Sequence, residues 1–504
     1  MRRCREGLHP LQGGRIMGLR RVLLFALLFA LSALMLALSM PPFLNVPLVG
    51  YVALVPAVLA LRELEGKWSR LLLLLCYGLP YSVASYSWYV DVMSPTMGLA
   101  LIVAVSVWHT GLLYRGVKLE SRFPVAFRVF SLPLVYALLE FAQRALPYVC
   151  DWWFIPYPKS QWGFPEALQV LRLTGISGLT FLMVLANSAI AMGAMQAYRR
   201  ERIGRDVLWG LLVVLCTLGY GYYRVHATDE EGASIRVALV SDMANALSGS
   251  EAEGYYVRDT ALSQRILERN LGLSVEVLAR ADFVVWPENE FFELGGDGKV
   301  LKQLHESARS LHAYLVVDCY RRTGEGLQDV ALMVAPEGGI GGDAPKRHLF
   351  DGEIEAGFVP STLPPTAIQV DSLRVGLGVC YDSHYRDVVR ALSRDGAGLV
   401  LMPTDDDMHR NAKFPYYHAT DAVFRAVENG VAMGCANTNG ASILVDGKGA
   451  ISCLSPVNEV SVVVGKVRAC RGVTLYSRWG EWFVYPMLLV LILGVVVRGR
   501  VSTE

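Results

Sequence analysis

RVLLFALLFALSALMLALSM, at residues 21–40, is a twenty-residue run with a single charge, Arg21, at its start. A hydrocarbon core about 30 Å thick takes roughly 17–25 apolar residues to cross as a helix. Helix is the conformation that pairs every backbone group within such a segment. Seven more apolar runs follow, at about 43–61, 71–91, 97–114, 129–147, 175–197, 207–223 and 482–498. The first is too long, and too poorly followed by a cleavage site, for a simple signal peptide. Residues 2–16 read as an upstream extension, with Met17 as the start. Only 18% of the residues are charged, against about 25% in soluble globular proteins, and mean hydropathy is positive. The expectation is a membrane protein with eight spans.

Lys and Arg set the orientation. The tail holds Arg2, Arg3, Arg5, Arg15, Arg20 and Arg21, and the second-to-third connection Arg62, Lys67 and Arg70. The fourth-to-fifth holds Arg115, Lys118, Arg122 and Arg128, the sixth-to-seventh Arg199, Arg200, Arg202 and Arg205, and the C-terminal tail Arg498 and Arg500. The intervening loops hold only Lys159 and Arg172, both in the long 148–174 loop. With eight spans, all five basic segments share one side, the cytoplasmic one. The predicted plan is a cytoplasmic tail at 1–20, a transmembrane domain of about seven helices at 21–225, a polar catalytic domain at 230–472 on the periplasmic or exoplasmic face, and a last transmembrane helix at 482–498.

A formal net charge of +1 gives no case for nucleic-acid binding. The nine cysteines contain no C-x-x-C pair and no metal-like cluster, which argues against a disulfide framework. No metal and no cofactor are expected.

The polar segment alternates between strand-like and helix-like stretches. SIRVALVS, DFVVWPE, YLVVDCY, RVGLGVCYD and AGLVLMPT read as strands. RDTALSQRILERNLGLSVEVLARA, YRDVVRALSRDG and YYHATDAVFRAVENG read as helices, the last capped by Gly430. DVALMVAPEG and GGIGGDAPKRHLF read as a hairpin, and VAMGCANTNGASILVDGKGA as two strands about an Asn-Gly turn. The class is α/β.

In open α/β sheets, ligand chemistry lies beyond the carboxyl ends of strands. Glu288, Cys380 and Asp405–Asp407 each follow such a strand, and Lys346 follows the hairpin. Singly, each has an ordinary reading: a solvated turn, a core cysteine, a surface lysine. Together they offer a base, a cation and a thiol. A cysteine attacks as thiolate, and its free pKa is about 8.5. A carboxylate can take the thiol proton once acyl substrate is in place, and an ammonium can stabilise the oxyanion. On this reading, replacing Lys346 costs rate and little stability. His384, four residues after Cys380, is the rival base or a solvated side chain.

VVWPEN, KRHLFDGE and GLGVCYD, in that order and separated by 58 (288 to 346) and 34 (346 to 380) residues, resemble the three motifs of the carbon–nitrogen hydrolase (nitrilase) superfamily. The resemblance implies a four-layer αββα sandwich, with Glu288 as general base, Lys346 as oxyanion-stabilising lysine and Cys380 as acyl-accepting nucleophile. Supporting roles fall to Asp382 and to either Glu353 or Glu355. A nitrilase-like domain inserted before the last of eight spans is similar to the apolipoprotein N-acyltransferase family. YSVASYSWYV and LEFAQRALPY in the membrane part carry that resemblance, as does GVTLYSRWGEWF before the last span. It implies that Cys380 takes an acyl chain from a phospholipid as a thioester and passes it to the α-amine of a diacylglyceryl-cysteine at an apolipoprotein N-terminus. A membrane-anchored amidase or nitrilase with another acceptor is the alternative. The implied location is the bacterial inner membrane. Trp88, Glu140, Tyr476 and Arg478 are the membrane-side or substrate-side candidates. Glu140 is either functional or paired within its helix with Arg144. The sequence Thr404-Asp405-Asp406-Asp407-Met408 departs from the family pattern, which has an aromatic pair there.

Overall fold

The computed structural model describes residues 18–64, 66–146, 155–228, 232–244, 260–276, 280–296, 298–406, 411–470 and 472–501. The basic tail up to Met17, Trp152 and Trp153, and Asp407–Met408 lie outside the described residues.

Among the described residues, five helices are long and apolar enough to cross a membrane: Leu19–Ser39, Pro95–Arg122, Val125–Ala145, Leu171–Tyr198 and Arg205–His226. The first carries a row of exposed leucines, Leu23, Leu27, Leu31 and Leu34, and the last another, Leu208, Leu212 and Leu215, whereas Leu171–Tyr198 is packed within the bundle. An apolar surface of that extent belongs against lipid, and the chain is a multi-pass membrane protein. The last run forms the helix Val484–Val501.

Two of the expected spans are not single α-helices. Run 43–61 is a 3-10 turn, Pro47–Tyr51, followed by the nine-residue helix Val55–Glu63. Pro47 and Pro56 stand in the first turns of these elements, where the missing N–H costs nothing, and each blocks extension backward. Run 71–91 is Lys67–Leu73, a π-helical turn Leu74–Gly78, and Leu79–Tyr86. The π turn lies just before Pro80, whose ring would crowd the carbonyl of Cys76 in a regular helix.

The polar domain has two six-stranded sheets. The strands are β1 (Gly232–Ser241), β2 (Phe283–Val285), β3 (Tyr314–Arg322), β4 (Leu327–Ala335), β5 (Gly339–Pro345), β6 (Ile368–Val370), β7 (Leu373–Leu377), β8 (Leu399–Thr404), β9 (Ala432–Asn437), β10 (Ile443–Val445), β11 (Ile451–Leu454) and β12 (Ser461–Cys470). The orders are β12-β1-β2-β3-β4-β5 and β11-β10-β9-β8-β7-β6. From β12 onward the first sheet pairs antiparallel, parallel, parallel, antiparallel, antiparallel, and the second repeats that pattern from β6. The inner faces meet through Val237, Leu239, Val285, Val316 and Met333 on one side and Val375, Leu377, Leu399, Leu401 and Leu444 on the other.

Helices Thr260–Val275 and Lys299–Leu311 cover the outside of the first sheet. Helices Asp387–Arg394 and Phe414–Asn429 cover the second, completing an αββα stack, and their core runs on without a break into the membrane helices. Every residue from Tyr417 to Asn429 is buried, because that helix has the sheet on one side and helix Leu171–Tyr198 on the other. Gly430, at φ +66°, ends it as expected.

Candidate active site

The carboxyl ends of the central parallel strands meet across the sandwich. The Glu288 N–H, just past β2, donates to the Thr404 carbonyl at the end of β8 (3.3 Å). Cys380 follows β7, beside β8, and its thiol faces the Asp405 carbonyl at 3.6 Å. Lys346 follows β5, and its backbone is fixed by Lys346 N–H to the Asp329 carbonyl (2.8 Å) and Ser361 N–H to the Lys346 carbonyl (2.8 Å).

The Lys346 ammonium is buried. It donates to Glu288 Oε1 and Glu353 Oε1, both at 2.5 Å, and lies 3.2 Å from Asp329 Oδ2. Burial alone would lower its pKa; Glu288, Glu353 and Asp329 outweigh that and hold it firmly charged. Glu288 is pushed well up by burial, with Lys346 opposing and the neighbouring carboxylates reinforcing the rise. Burial and then Glu288 raise the Cys380 thiol well above its ordinary value, while Lys346 pulls it down. The resting sulfur is therefore a neutral thiol beside a carboxyl and an ammonium.

Cys380 has φ +43°, a left-handed conformation uncommon outside glycine. Asp382 holds this turn. Its carboxylate accepts from the N–H groups of Val379 (3.3 Å), Arg347 (3.2 Å) and His348 (2.9 Å). The turn with the thiol and the segment after the lysine are thus fastened to one side chain. Burial pushes the Asp382 carboxyl up to about 6 against these donors.

Of the two supporting glutamates, Glu353 is on Lys346 and Glu355 is exposed. They lie in the short helix Asp351–Glu355, where positions two apart face different directions. A second bond, from Phe350 N–H to Glu353 Oε2 at 2.6 Å, fixes Glu353 at the helix start. His384 is half-buried and does not meet the thiol: Nδ1 meets Asp421 Oδ2 at 3.1 Å and the ring stacks on Tyr381. Among the described residues, Glu140 pairs with no arginine. It accepts from Tyr157 N–H and the Thr180 hydroxyl, both at 2.6 Å, while Arg144 turns to Glu481 at 3.3 Å. Trp88 is buried against Phe414 of the catalytic domain, with centroids 4.8 Å apart. Tyr476 is buried against Gly175, and Arg478 is exposed.

Three carboxyls at the centre were not singled out from sequence. Asp329, Glu290, Glu288 and Glu353 bring one oxygen each within 4.8 Å of one another, and Lys346 is the cation inside this group. Asp318 accepts from the N–H groups of Asn289 (2.9 Å) and Glu290 (2.6 Å). Burial, then Asp329, pushes both Glu290 and Asp318 well up. The available signal was a charged residue inside an apolar strand, in VVDCY and QDVALMV, since an unpartnered charge is seldom fully buried. Also unannounced is a buried chain in which Asp406 Oδ1 meets His418 Nδ1 (2.6 Å) and His418 Nε2 meets Ser383 Oγ (2.9 Å). Ser383 in turn donates to the Cys380 carbonyl (2.9 Å), bracing the turn.

Two family models match the chain: Carbon-nitrogen hydrolase over residues 260–471 and Apolipoprotein N-acyltransferase N-terminal domain over residues 32–189. With the paired sheets, they define a nitrilase-like domain carried on a multi-pass membrane domain. An apolipoprotein N-acyltransferase of Geobacter metallireducens is 27% identical, over 91% of this chain and 92% of its own. One from Gloeobacter violaceus is 39% identical over 66% and 65%. The chain belongs to the apolipoprotein N-acyltransferase family. A solved amidase from Nesterenkonia sp. is 21% identical with a TM-score of 0.39, covering 51% of this chain and 97% of its own.

Proposed function

We propose that the chain is an N-acyltransferase that moves an acyl chain from a phospholipid, through a thioester on Cys380, to the α-amine of the diacylglyceryl-cysteine at an apolipoprotein N-terminus. The observation that carries this reading is the buried Lys346 ammonium gripped by Glu288 and Glu353, near enough to the Cys380 thiol to act on its charge.

Glu288 takes the thiol proton as the sulfur attacks the donor's ester carbonyl. The oxyanion of the tetrahedral intermediate forms beside the Lys346 ammonium, whose charge favours it. Collapse releases the lysophospholipid alkoxide, which recovers the proton from Glu288, and leaves the thioester. In the second half the acceptor amine attacks the thioester and gives a proton to Glu288. The thiolate leaves as the amide forms and is reprotonated from Glu288, which restores the resting site. Glu353 and Asp329 keep the ammonium in place, and Asp382 keeps the turn in place.

The domain stands on the periplasmic face of the bacterial inner membrane, where both amphiphiles are anchored. The test is a two-substrate assay with labelled phospholipid and a diacylated lipopeptide, run beside Cys380→Ala. Label is expected on the lipopeptide with the native chain and none with Cys380→Ala. Turnover of small amides with no lipid transfer would instead establish a membrane-anchored amidase.

A further inference from the structure

A cavity of about 220 Å³ lies in the seam between the membrane helices and the catalytic domain. Its wall takes in the end of helix Val125–Ala145, the loop at Pro156 and Lys159, the start of helix Leu171–Tyr198, and His384–Arg386, where the turn bearing Cys380 ends. Among the described residues, four cations line it, Arg144, Lys159, Arg386 and Arg425, against one carboxylate, Asp421.

Asp421 is committed to Lys159 (2.9 Å) and to His384. Arg144 and Arg386 share Glu481, at 3.3 and 3.6 Å, and Arg425 is 3.0 Å from Glu428. The arginines still have capacity to spare. Among the described residues, Arg144 Nε and Arg425 Nε are buried donors with no acceptor, and so is Nε2 of Gln143, a residue of the same wall. Gln143 is 5% exposed and Arg425 1%. A buried donor left unmet costs about 1–3 kcal/mol, so several unmet donors on one cavity, all N–H, mark the place of a missing polyvalent acceptor. Guanidinium groups match the oxygens of a phosphate through paired hydrogen bonds. The cavity lies at the end of helix Val125–Ala145 and the start of helix Leu171–Tyr198, and polar headgroups flank the hydrocarbon core that such helices cross.

We infer that this cavity holds the phosphate group of a membrane phospholipid, the acyl donor, and so seats the donor's headgroup next to the turn that carries Cys380. The inference rests on the phospholipid-donor reading above. Arg386 supplies the test, because its side chain is 32% exposed and its ion pair is long, so that its replacement leaves the seam standing.

Binding is measured by native mass spectrometry on the full-length Cys380→Ala chain, which needs no turnover and so separates this site from the transfer reaction. Arg386→Gln is expected to weaken phosphatidylethanolamine binding roughly tenfold, with diacylglycerol, which lacks the phosphate, bound as before. Arg144→Gln provides an independent second variant with the same expected pattern, and Arg386→Lys should recover part of the loss. In otherwise native protein the same change should raise KM for the phospholipid and leave kcat and the lipopeptide KM unmoved. Unchanged phospholipid binding in both glutamine variants, or equal loss of phospholipid and diacylglycerol, would overturn the proposal. Inorganic phosphate should displace the lipid only in large excess; displacement at equal concentration would assign the cavity to free phosphate and overturn the lipid.

Discussion

Lys346 is charged and buried at once, and that combination changes what its replacement does. Sequence reasoning cast it as an oxyanion partner that could be removed with little harm to the fold. The structure surrounds it with Glu288, Glu353 and Asp329, so Lys346→Ala leaves buried carboxylates without their counter-ion. Breaking a buried pair in this way costs about 3–5 kcal/mol. The expected result is a lowered thermal midpoint as well as lost transfer, with Lys346→Arg recovering more stability than activity; a native midpoint in Lys346→Ala would contradict this. Asp382 gives a pH signature. Its carboxyl is raised from 3.8 to about 6, so between those values the folded chain keeps a proton that the unfolded chain has lost. Its contribution is complete below about pH 4 and is lost as pH rises through about 6, worth up to about 3 kcal/mol by linkage. Asp382→Asn should therefore flatten the fall in thermal midpoint between pH 4 and pH 6, checked by scanning calorimetry across that range; an unchanged slope would place the titration elsewhere. Glu288, Lys346 and Cys380 were legible because each ends a strand-like run in a recognisable motif. Asp318 and Asp329 were not, because the partners of Asp318, the Asn289 and Glu290 N–H groups, and the partner of Asp329, Lys346, come from separate stretches of chain that only the folded sheets bring together.

Among the elements, the helix Phe414–Asn429 joins the two halves of the molecule. His418 reaches Ser383 and Asp421 reaches His384 on the turn after the thiol, while Lys159, from a membrane-domain loop, grips Asp421 and the Tyr417 carbonyl. Helical periodicity announced the helix; its burial on all sides could not be read from one strand of sequence, since nothing in YYHATDAVFRAVENG names the surface opposite. The kink in helix Leu171–Tyr198 was hidden in the same way. Gly175 takes φ +68° and ψ −169°, a region only glycine enters cheaply, and a Cβ there would stand 2.6 Å from the Tyr476 ring. The kink lets GVTLYSRWGEWF pass from the catalytic domain to the last helix. Gly175→Ala should cost at least about 1–3 kcal/mol, read as a drop in thermal midpoint, and Tyr476→Ala should relieve only the part due to overlap. Full rescue by the second change would show that backbone conformation is not at issue.

Over the whole molecule, charge and hydropathy made the plan readable, and backbone chemistry made part of it misleading. Among the described residues, five of the eight apolar runs lie in helices long enough to cross a membrane and the last lies in the helix Val484–Val501, but proline split the second run and a π turn bent the third, neither of which hydropathy registers. Counting each broken run as one crossing keeps the alternation of basic and neutral connections expected from the sequence. The connection Arg199–Arg205 and the hairpin between β4 and β5 should then face opposite sides of the membrane. Both Arg202 and Glu337 are exposed, so single replacements Arg202→Cys and Glu337→Cys can report on each side, read against the native chain's own background. In intact cells a membrane-impermeant maleimide should label Glu337→Cys and leave Arg202→Cys untouched until the cells are permeabilised. The opposite pattern would put the thiol on the cytoplasmic side. The basic connections would then break the charge rule, and the proposed acceptor, anchored on the outer leaflet, would be out of reach of Cys380.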